Sequence, residues 1–518
     1  MKFTKSRLIA FTPGKIRSVA VIGAGPVGSG LTKALINENH FDKIDVFEKR
    51  SRFGGLWNYT KPITLQNISN DTSIPCVPCE NPAIRIKPQM LPNGEKIFGT
   101  AVYKYLDTNV PKQLMEYHNF PFKDGTPLFP IRDQVLQYLT SYAKPIQKYV
   151  QFNTEVSQVH YNDANNKYIV KVGKLGIDGD VESHHKNLET AGEYDAVAIA
   201  TGFYDLPYIP TKPGLDKWYA AHPSSISHAK DFDCPEQYEH LKGEIVVVGN
   251  SASGSDLAFE LAVHLKKPIY KSKRSENILP AGKSEYIKEV GDIAGMDPST
   301  KTIIFTDGTK LSNVEKIIFC TGYLKSLPFL PKQQDIKDPT AQVGDTILSQ
   351  LITNGGMVHN LFNHIVPINL PSFGIIGLPK YVLPTRLSET QGAWLARIWS
   401  GRIQLPDLKK RQAYHDWFAY ENGLGGKFHD LVFPRDIQYS QRLNKEIKAA
   451  GNGGYFGVEW SPEQIRLRAS IKPLKEAYLE KLKVEGKRAL SIDELIAGGY
   501  FKWPEDAISV VQVPNFAP

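Results

Sequence analysis

The sequence has few cysteines, no long apolar run and no dense block of basic residues. Four cysteines in 518 residues cannot form the disulfide framework of a secreted scaffold, which fits a reducing compartment. No run of about 18 apolar residues is present, so a transmembrane helix is not predicted. A long Lys/Arg block interleaved with aromatics is also missing, which leaves nucleic-acid binding with little support. A cytoplasmic protein, with or without peripheral association with the endoplasmic reticulum, is predicted.

The composition is that of an ordinary globular protein. Hydrophobic residues make up 41% and charged residues 22% of the chain, and its length is sufficient for two or three domains with sizeable cores. The formal net charge of +8 comes from residues scattered along the chain. Most of this charge is expected on a solvated surface, and some of it can serve an anionic cofactor.

A glycine-rich motif lies near the N-terminus, between an apolar strand predicted at 18–22 and a predicted helix. Its sequence is Gly23-Ala24-Gly25-Pro26-Val27-Gly28, and the next predicted strand, at 44–47, leads to Glu48, 20 residues after the last glycine. This context is typical of a dinucleotide-binding unit, because such glycines allow a tight turn, approach of a pyrophosphate and close packing of helix on strand. Glu48 is then expected to accept hydrogen bonds from ribose hydroxyls. A structural turn in an unrelated α/β domain is the alternative interpretation.

A second motif, Gly249-Asn250-Ser251-Ala252-Ser253-Gly254, follows another apolar strand at 245–248. Serine replaces the middle glycine, which makes this copy less specific by itself. The residue 20 positions after Gly254 is Arg274, where the first copy has an acid after the same interval. A guanidinium pairs with a 2′-phosphate that a carboxylate would repel, and Lys271 and Lys273 add positive charge. We therefore assign FAD to the first motif and NADPH to the second, with a solvated surface cluster as the alternative interpretation of these cations.

Each motif is followed later by an apolar strand that ends in Thr-Gly, at Thr201-Gly202 and at Thr321-Gly322. We interpret these endings as points where the chain passes between domains. The predicted fold is therefore α/β, with two Rossmann-like dinucleotide-binding domains. The NADPH-binding domain, residues 206–324, is expected to be inserted into an FAD-binding domain formed by residues 1–205 and 325–518.

Three further segments carry structural predictions. A turn at Asp307-Gly308 predicts a hairpin between Thr302–Phe305 and the strand at 317–320. The stretch from 60 to 94 is rich in proline and lacks periodicity, so a long surface excursion is expected there. The tail after 406 contains several tryptophans and is not highly charged, which predicts segments folded onto the core rather than a disordered tail.

Three segments resemble the flavin-containing monooxygenases. Gly54-Gly55-Leu56-Trp57 is similar to the G-G-x-W element of the family, and the segment from Tyr105 to Met115 is similar to its Y-x-x-L-x-T-N-x-x-K-x-x-M element. Phe319-Cys320-Thr321-Gly322-Tyr323 resembles its F-A-T-G-Y element. Together with Glu389, Gln391 and the segment from Gly401 to Pro406, the resemblance extends over roughly residues 18–406.

The element that should precede the second glycine motif departs from the family pattern. His222 and Ser224 stand where the family has Phe and Gly, whereas His228 and Phe232 fit the end of the element. The Baeyer–Villiger relatives would have Trp at the position of Phe232. The resemblance therefore favours the branch that oxidises nitrogen and sulfur.

By this resemblance the chain is expected to bind FAD and NADPH and to reduce the flavin with a hydride from NADPH. Reduced flavin and O2 then give a C4a-hydroperoxide, whose distal oxygen goes to a soft amine, sulfide or thiol. Asn109 is expected to hold the oxygenated flavin and the nicotinamide through hydrogen bonds. No metal is expected, and a homodimer is left open. The residues expected to bind the cofactors are Gly23, Ala24, Gly25, Pro26, Val27, Gly28, Glu48, Gly55, Leu56, Trp57, Thr108, Asn109, Val156, Thr201, Gly202, Gly249, Asn250, Ser251, Ala252, Ser253, Gly254, Arg274, Thr321, Gly322 and Gln391.

Other functions stay open from the sequence. A Baeyer–Villiger monooxygenase would share the same motifs. A pyridine-nucleotide disulfide reductase could use Cys76 and Cys79 as a redox dithiol, although this pair does not lie in the helix after the first motif or in the second unit. A zinc site at the pair would need two further ligands, which the spacing does not show. A non-catalytic flavin-binding partner protein is the remaining alternative, and it would leave the Arg274 site without a purpose.

Overall fold

The structure is a computed structural model that describes residues 9, 11–60, 88–90, 96–174, 188–332, 336 and 342–513. In these ranges the strands are β1 (Ser18–Ile22), β2 (Lys43–Phe47), β3 (Gln89–Met90), β4 (Lys96–Ile97), β5 (Val150–Gln151), β6 (Thr154–Asn162), β7 (Lys167–Lys174), β8 (Glu189–Tyr194), β9 (Ala196–Ile199), β10 (Leu206–Pro207), β11 (Ile226–His228), β12 (Glu244–Val248), β13 (Ile269–Ser272), β14 (Ile287–Val290), β15 (Ile293–Asp297), β16 (Thr302–Phe305), β17 (Lys310–Leu311), β18 (Val314–Phe319), β19 (Tyr323–Leu324), β20 (Leu361–Phe362), β21 (Val366–Pro367) and β22 (Phe373–Ile375). The helices are α1 (Pro26–Asn37), α2 (Lys112–Met115), α3 (Arg132–Ala143), α4 (Leu215–Ala221), α5 (Ala252–Leu265), α6 (Val343–Ser349), α7 (Pro384–Trp399), α8 (Leu408–Asn422), α9 (Arg435–Ala449), α10 (Pro462–Ala469), α11 (Ile471–Glu485) and α12 (Ile492–Ala497).

The first of two parallel sheets has the strand order β22-β9-β1-β2-β5. In β1, Val19 and Val21 belong to one buried apolar cluster, while Ala20 and Ile22 belong to another. Successive side chains of a strand point to opposite faces, so both faces of this sheet are covered. Burial on both faces explains why the strand is a continuous apolar run in the sequence.

The second parallel sheet has the order β11-β18-β12-β13-β14. Its central strand β12 repeats the pattern of β1, with Val246 and Val248 in one buried cluster and Ile245 and Val247 in another. Helix α5 follows β12 as α1 follows β1. The predicted α/β fold with two Rossmann-like units is confirmed.

The two chain segments that connect these sheets lie side by side. Strand β10 pairs antiparallel with β19, so Leu206 is opposite Leu324 and Pro207 is opposite Tyr323. The Thr321 hydroxyl also donates a hydrogen bond to the carbonyl oxygen of Tyr208. These contacts lie at the predicted boundaries near 206 and 324, and the division into domains stays a prediction.

The predicted hairpin exists, but the prediction of its second strand was wrong. The turn at Asp307-Gly308 joins β16 to β17, two residues that pair antiparallel with Ile303 and Ile304. The Asp307 carboxylate stabilises the turn by accepting hydrogen bonds from the amides of Gly291, at 2.7 Å, and Thr309, at 3.0 Å. Strand β18 instead lies between β11 and β12 in the parallel sheet, because its apolar side chains are buried on both faces.

The C-terminal tail folds onto the rest of the chain, as predicted. Leu474 and Tyr478 of α11 and Leu495 of α12 share an apolar cluster with Leu114 and Phe129. The tail therefore covers the segment that carries the Thr-Asn motif. Most of the predicted excursion, residues 61–87 and 91–95, lies outside the described residues.

None of the helices in the described ranges is long and apolar enough to cross a membrane. The same ranges hold no group of three or more His, Cys, Asp or Glu side chains arranged to bind a metal ion.

Candidate functional site

The first glycine turn has the tight geometry that its sequence predicts. Gly23 has a φ of 104°, a left-handed conformation, and a Cβ there would lie 2.6 Å from the carbonyl oxygen of Ala200. A Cβ on Gly28 would lie 1.9 Å from the carbonyl oxygen of Gly23. A larger residue at either position would push α1 away from the sheet. Helix α1 therefore starts directly after β1, and its first amides have no partner within the helix.

The second glycine turn repeats this geometry. A Cβ on Gly249 would lie 2.6 Å from the carbonyl oxygen of Cys320, and one on Gly254 would lie 2.0 Å from the carbonyl oxygen of Gly249. The close approach of helix to strand is therefore the same in both units, although Ser251 replaces the middle glycine. The N-termini of α1 and α5 are equivalent places for phosphate groups.

A cavity of about 470 Å³ adjoins the first glycine turn. Its walls come from segments far apart in the sequence, including the first motif, the turn at 54–57, the segment 106–110 and the start of β6. More than half of the predicted cofactor residues lie on this wall. They are Gly23, Gly25, Pro26, Val27, Glu48, Gly55, Leu56, Trp57, Thr108, Asn109, Val156, Thr201 and Gly202.

Glu48 is held in place at the end of β2. Its carboxylate is buried and accepts hydrogen bonds from the amides of Ala24 and Arg50, each at 2.8 Å and each to a different oxygen. Ala24 itself does not line the cavity but contributes through this bond. Because each carboxylate oxygen can accept a second hydrogen bond, Glu48 remains able to bind a ribose hydroxyl.

Gln391 lies behind the cavity wall rather than on it. Its side chain is fully buried; the Oε1 atom accepts a hydrogen bond from the Gly377 amide at 2.8 Å, and the Nε2 atom donates one to the Tyr439 hydroxyl at 2.8 Å. Gly377 does line the cavity. Any effect of Gln391 on a cofactor therefore acts through the position of Gly377.

The second glycine motif and Arg274 lie outside this cavity. Lys271 and Lys273 both form ion pairs with Glu289 of β14, at 3.1 Å and 2.8 Å. Arg274 is exposed and forms no hydrogen bond or ion pair with a residue that the structure describes. Arg274 is thus the cation of this group that remains available to an anionic ligand.

His228, which fits the end of the altered family element, has a structural role. Its Nδ1 atom accepts a hydrogen bond from the Lys230 amide at 3.1 Å, so Nε2 carries the proton and donates to the carbonyl oxygen of Gly322 at 2.9 Å. Burial lowers the pKa of His228 to about 3. The neutral imidazole therefore holds the Thr321-Gly322 ending in position.

Asn109 connects the cavity with the second unit. It lies on the cavity wall, and its Nδ2 atom donates a hydrogen bond of 3.3 Å to Oδ2 of Asp256. Asp256 belongs to α5, the helix that begins in the second glycine motif. The Tyr103 hydroxyl donates to the same carboxylate oxygen at 3.3 Å. The Asn109 amide is thus hydrogen-bonded to the helix that follows the second glycine motif.

Sequence reasoning missed one wall of the cavity, formed by residues 377–385 and by Ser326, Pro328 and Phe329. Tyr381 in this wall has a φ of 61°, which is uncommon for a bulky residue and is found where surrounding structure imposes it. The Arg468 guanidinium donates to its carbonyl oxygen at 2.7 Å. No local pattern in the sequence indicated what this segment would contact.

Comparisons of the chain with known proteins find similar sequences in one family. The sequence profile of the family described as flavin-binding monooxygenase-like matches residues 94–286. The thiol-specific monooxygenase of Saccharomyces cerevisiae is 26% identical to this chain over 471 residues, which cover 89% of the chain and 92% of the yeast protein. The flavin-containing monooxygenase FMO GS-OX3 of Arabidopsis thaliana is 28% identical over 508 residues, which cover 92% and 96% of the two proteins. The chain is thus similar to flavin-containing monooxygenases over most of its length.

A solved structure shares the fold of this chain over almost its whole length. The S-allyl-L-cysteine S-oxygenase of Allium sativum has a TM-score of 0.66 and 23% identity, and the match covers 93% of this chain and 97% of that one. The predicted flavin cofactor agrees with this family description, and the prediction of NADP(H) is taken up with the proposed function. A small-molecule substrate and O2 follow from monooxygenase activity.

The residues present at the first motif of this monooxygenase fit a dinucleotide. A Cβ on Gly25 would lie 3.3 Å from the Cα atom of Gly55, so two stretches of bare backbone meet where a ligand must approach closely. The N-terminus of α1 supplies unpaired amides for a pyrophosphate, and Glu48 supplies an acceptor for a ribose. These three features, bare backbone, a helix N-terminus and a carboxylate acceptor, are the ones that a bound dinucleotide such as FAD would need.

Proposed function

We propose that this monooxygenase uses NADPH and O2 to oxygenate soft sulfur or nitrogen nucleophiles. The bond between Asn109 and Asp256 supports the proposal most strongly, because it joins the cavity wall to the helix that follows the second glycine motif. Cofactors bound at α1 and α5 would therefore meet near Asn109. The two cofactors have to be in contact, because a hydride passes directly from the nicotinamide ring to the flavin ring.

A bound flavin would supply the redox chemistry, by taking up a hydride from NADPH and, with O2, providing the oxygen atom that is transferred to the nucleophile. The residues of the chain bind, orient and exclude water. We assign Gly23–Gly28 and Glu48 to FAD and the second motif with Arg274 to NADP(H). Asn109 would offer its amide at the reacting edge of the flavin, and apolar wall residues such as Trp57 would keep water from that edge.

Sulfur is the favoured nucleophile. The yeast relative is named a thiol-specific monooxygenase, and the structurally similar Allium protein is named an S-allyl-L-cysteine S-oxygenase. We therefore propose thioethers and thiols as the first substrates to test, with tertiary amines as the second class.

A panel of three substrates tests the proposed function. The purified protein is incubated with NADPH, O2 and catalase, together with a methyl aryl sulfide, a tertiary amine or a cyclic ketone. We expect sulfoxide with an enantiomeric excess and about one product per NADPH, because the bound sulfide presents one face to the flavin. Racemic sulfoxide, or NADPH oxidation that yields only H2O2, would contradict the proposal. Lactone from the ketone, without sulfoxide, would favour the Baeyer–Villiger alternative.

The disulfide reductase alternative predicts a different result for two cysteines. Cys76 and Cys79 lie outside the described residues, so the test is functional. If the flavin performs the oxygenation without a dithiol, Cys76→Ser combined with Cys79→Ser should leave NADPH-dependent sulfoxide formation nearly unchanged. Loss of turnover in the double variant, with flavin still bound as judged by its absorbance, would favour the reductase.

We also propose the domain division predicted from the sequence. An NADPH-binding domain at 206–324 would be inserted into an FAD-binding domain formed by 1–205 and 325–518, and the antiparallel pairing of β10 with β19 near both boundaries supports this division. A homodimer and a cytoplasmic location, with or without peripheral association with the endoplasmic reticulum, stay predictions.

A further inference from the structure

The carboxylate of Asp256 lies where the two units meet. One of its oxygens, Oδ2, accepts hydrogen bonds from Asn109 and Tyr103, both at 3.3 Å. Asn109 belongs to the segment that carries the Thr-Asn motif and Tyr103 lies just before it, whereas Asp256 belongs to α5. The proposed chemistry assigns no role to Asp256.

An asparagine amide has two orientations, related by exchange of its oxygen and nitrogen atoms. An ionised carboxylate can only accept hydrogen bonds, so it attracts Nδ2 of Asn109 and repels Oδ1. The charge on Asp256 therefore selects the orientation in which Oδ1 is left for other partners. Oδ1 makes no hydrogen bond with the part of the chain that the structure describes, and Asn109 lines the cavity.

We propose that Asp256 is a positioning residue, whose ionised carboxylate holds the amide of Asn109 with its oxygen available to the ligands in the cavity. The inference rests on the proposed role of Asn109. It also gives the nucleotide-binding helix a direct effect on the reaction site, because a shift of α5 on nucleotide binding would move the carboxylate to which the amide is bonded.

The surroundings of Asp256 place its titration near the physiological range. Burial raises the pKa of Asp256 to about 6, and the ammonium of Lys475 opposes this rise. Lys475 comes from α11 of the C-terminal tail; its Nζ atom is buried, has no hydrogen-bond partner among the described residues and lies 4.6 Å from the centre of the Phe129 ring. Burial lowers the pKa of Lys475, while Asp107 and Asp256 favour its charged form, and in that form the tail contributes a cation to the Asn109 site. The other titratable or charged groups that interact with Asp256 are Tyr103, Asp107, Glu260 and Cys320, and Arg488 is paired with Asp107 at 2.9 Å.

These neighbours differ in charge near pH 6. Burial and the charge of Asp256 raise the pKa of Glu260 to about 8, so Glu260 keeps its proton at that pH. Burial also raises the pKa values of Tyr103 and Cys320, which stay neutral. As the pH falls through about 6, Asp256 is the group that gains a proton. A protonated carboxyl can donate to Oδ1 as well as accept from Nδ2, so selection of the amide orientation is lost at low pH.

The test compares the wild-type holoenzyme with Asp256→Asn, Glu260→Gln and Lys475→Met across about two pH units on either side of 6. One measurement is the amount of H2O2 formed per NADPH oxidised. The other needs no turnover: the affinity of the oxidised holoenzyme for NADP⁺, followed by the change in flavin absorbance.

We expect wild-type H2O2 leakage to rise and NADP⁺ affinity to fall, each by about tenfold, as the pH drops through about 6. Asp256→Asn should show values that no longer depend on pH in this range. Glu260→Gln, one turn further along α5, should keep the wild-type midpoint because Glu260 is already neutral there. Lys475→Met should move the midpoint to higher pH, because it removes the cation that favours the ionised form of Asp256.

Two results would overturn the role of Asp256. One is that H2O2 leakage and NADP⁺ affinity depend on pH in Asp256→Asn as they do in the wild type. The other is that Lys475→Met leaves the midpoint pH of these profiles unchanged. Failure of the proposed function has a different signature: the wild type would form no oxygenated product, or Asn109→Ala would behave like the wild type. The NADP⁺ affinity profile decides on Asp256 in either case. Lys475→Met serves as the second probe if Asp256→Asn does not fold. Met fills the apolar surroundings of Lys475, whose ammonium has no hydrogen bond to the described residues that the substitution would remove.

Discussion

Replacement of Asn109 by alanine should increase the H2O2 formed per NADPH about ten- to a hundredfold, while reduction of the flavin continues. Hydride transfer depends on contact between the two cofactor rings, and Asn109 does not take part in that contact. Survival of the oxygenated flavin depends on hydrogen bonds at its reacting edge. Loss of one bond of about 1–3 kcal/mol shortens a lifetime by roughly ten- to a hundredfold.

The measurement is the ratio of H2O2 formed to NADPH consumed with saturating sulfide, together with the rate of flavin reduction without O2. Asn165→Ala is the matched control, because Asn165 is an exposed residue in the turn between β6 and β7. It should keep both wild-type values. If Asn109→Ala keeps the wild-type ratio and the wild-type yield of sulfoxide, Asn109 has no protective role.

Replacement of Arg274 by alanine should weaken NADPH binding about ten- to a hundredfold and leave NADH almost unaffected. Arg274 stands 20 residues after Gly254, at the interval where Glu48 follows Gly28 in the first unit. Its guanidinium is exposed and has no protein partner in the described ranges, so it is available to bind a 2′-phosphate. A charge-assisted contact of roughly 1.5–3 kcal/mol corresponds to the expected loss.

Dissociation constants of both nucleotides, measured with the oxidised holoenzyme, decide this prediction. Lys273→Ala is the appropriate control, because Lys273 is already paired with Glu276 and Glu289, each at 2.8 Å. It should lose much less affinity for NADPH than Arg274→Ala does. If Arg274→Ala loses as much affinity for NADH as for NADPH, Arg274 stabilises the structure and does not bind the 2′-phosphate.

The glycine turns could be predicted because their chemistry is local. Gly23 and Gly28 are required by contacts with the adjoining strand and helix, and those contacts recur at Gly249 and Gly254. The acid or base that follows at a constant interval comes at the end of the next strand, so its place is also determined locally. Sequence spacing therefore indicated where these residues lie, and the assignment of FAD to one unit and NADP(H) to the other stays a prediction.

The hairpin shows where such local reasoning fails. The turn at Asp307-Gly308 was correct, but β17 is only two residues long. The longer apolar strand β18 had a stronger alternative, since between β11 and β12 both of its faces are buried. Competition between a local turn and burial in a parallel sheet cannot be read from the turn residues.

The contacts at Asn109 could not be predicted either. Asn109 and Asp256 are 147 residues apart, and the motif around each gives no sign of the other. The same holds for Lys475, which reaches this site from the tail, and for Tyr381, whose left-handed backbone depends on surrounding structure. Contacts between side chains of two units can be identified only from a structure that contains both units.

A stopped-flow spectrum of the NADPH-reduced protein mixed with O2 tests the monooxygenase function most directly. With NADP⁺ present, we expect a flavin species whose spectrum differs from those of reduced and oxidised flavin. This species should persist without substrate and disappear faster when a sulfide is added, as sulfoxide forms. Direct return of reduced flavin to oxidised flavin, at a rate that the sulfide does not change and with H2O2 as the sole product of O2, would contradict the function proposed for this chain.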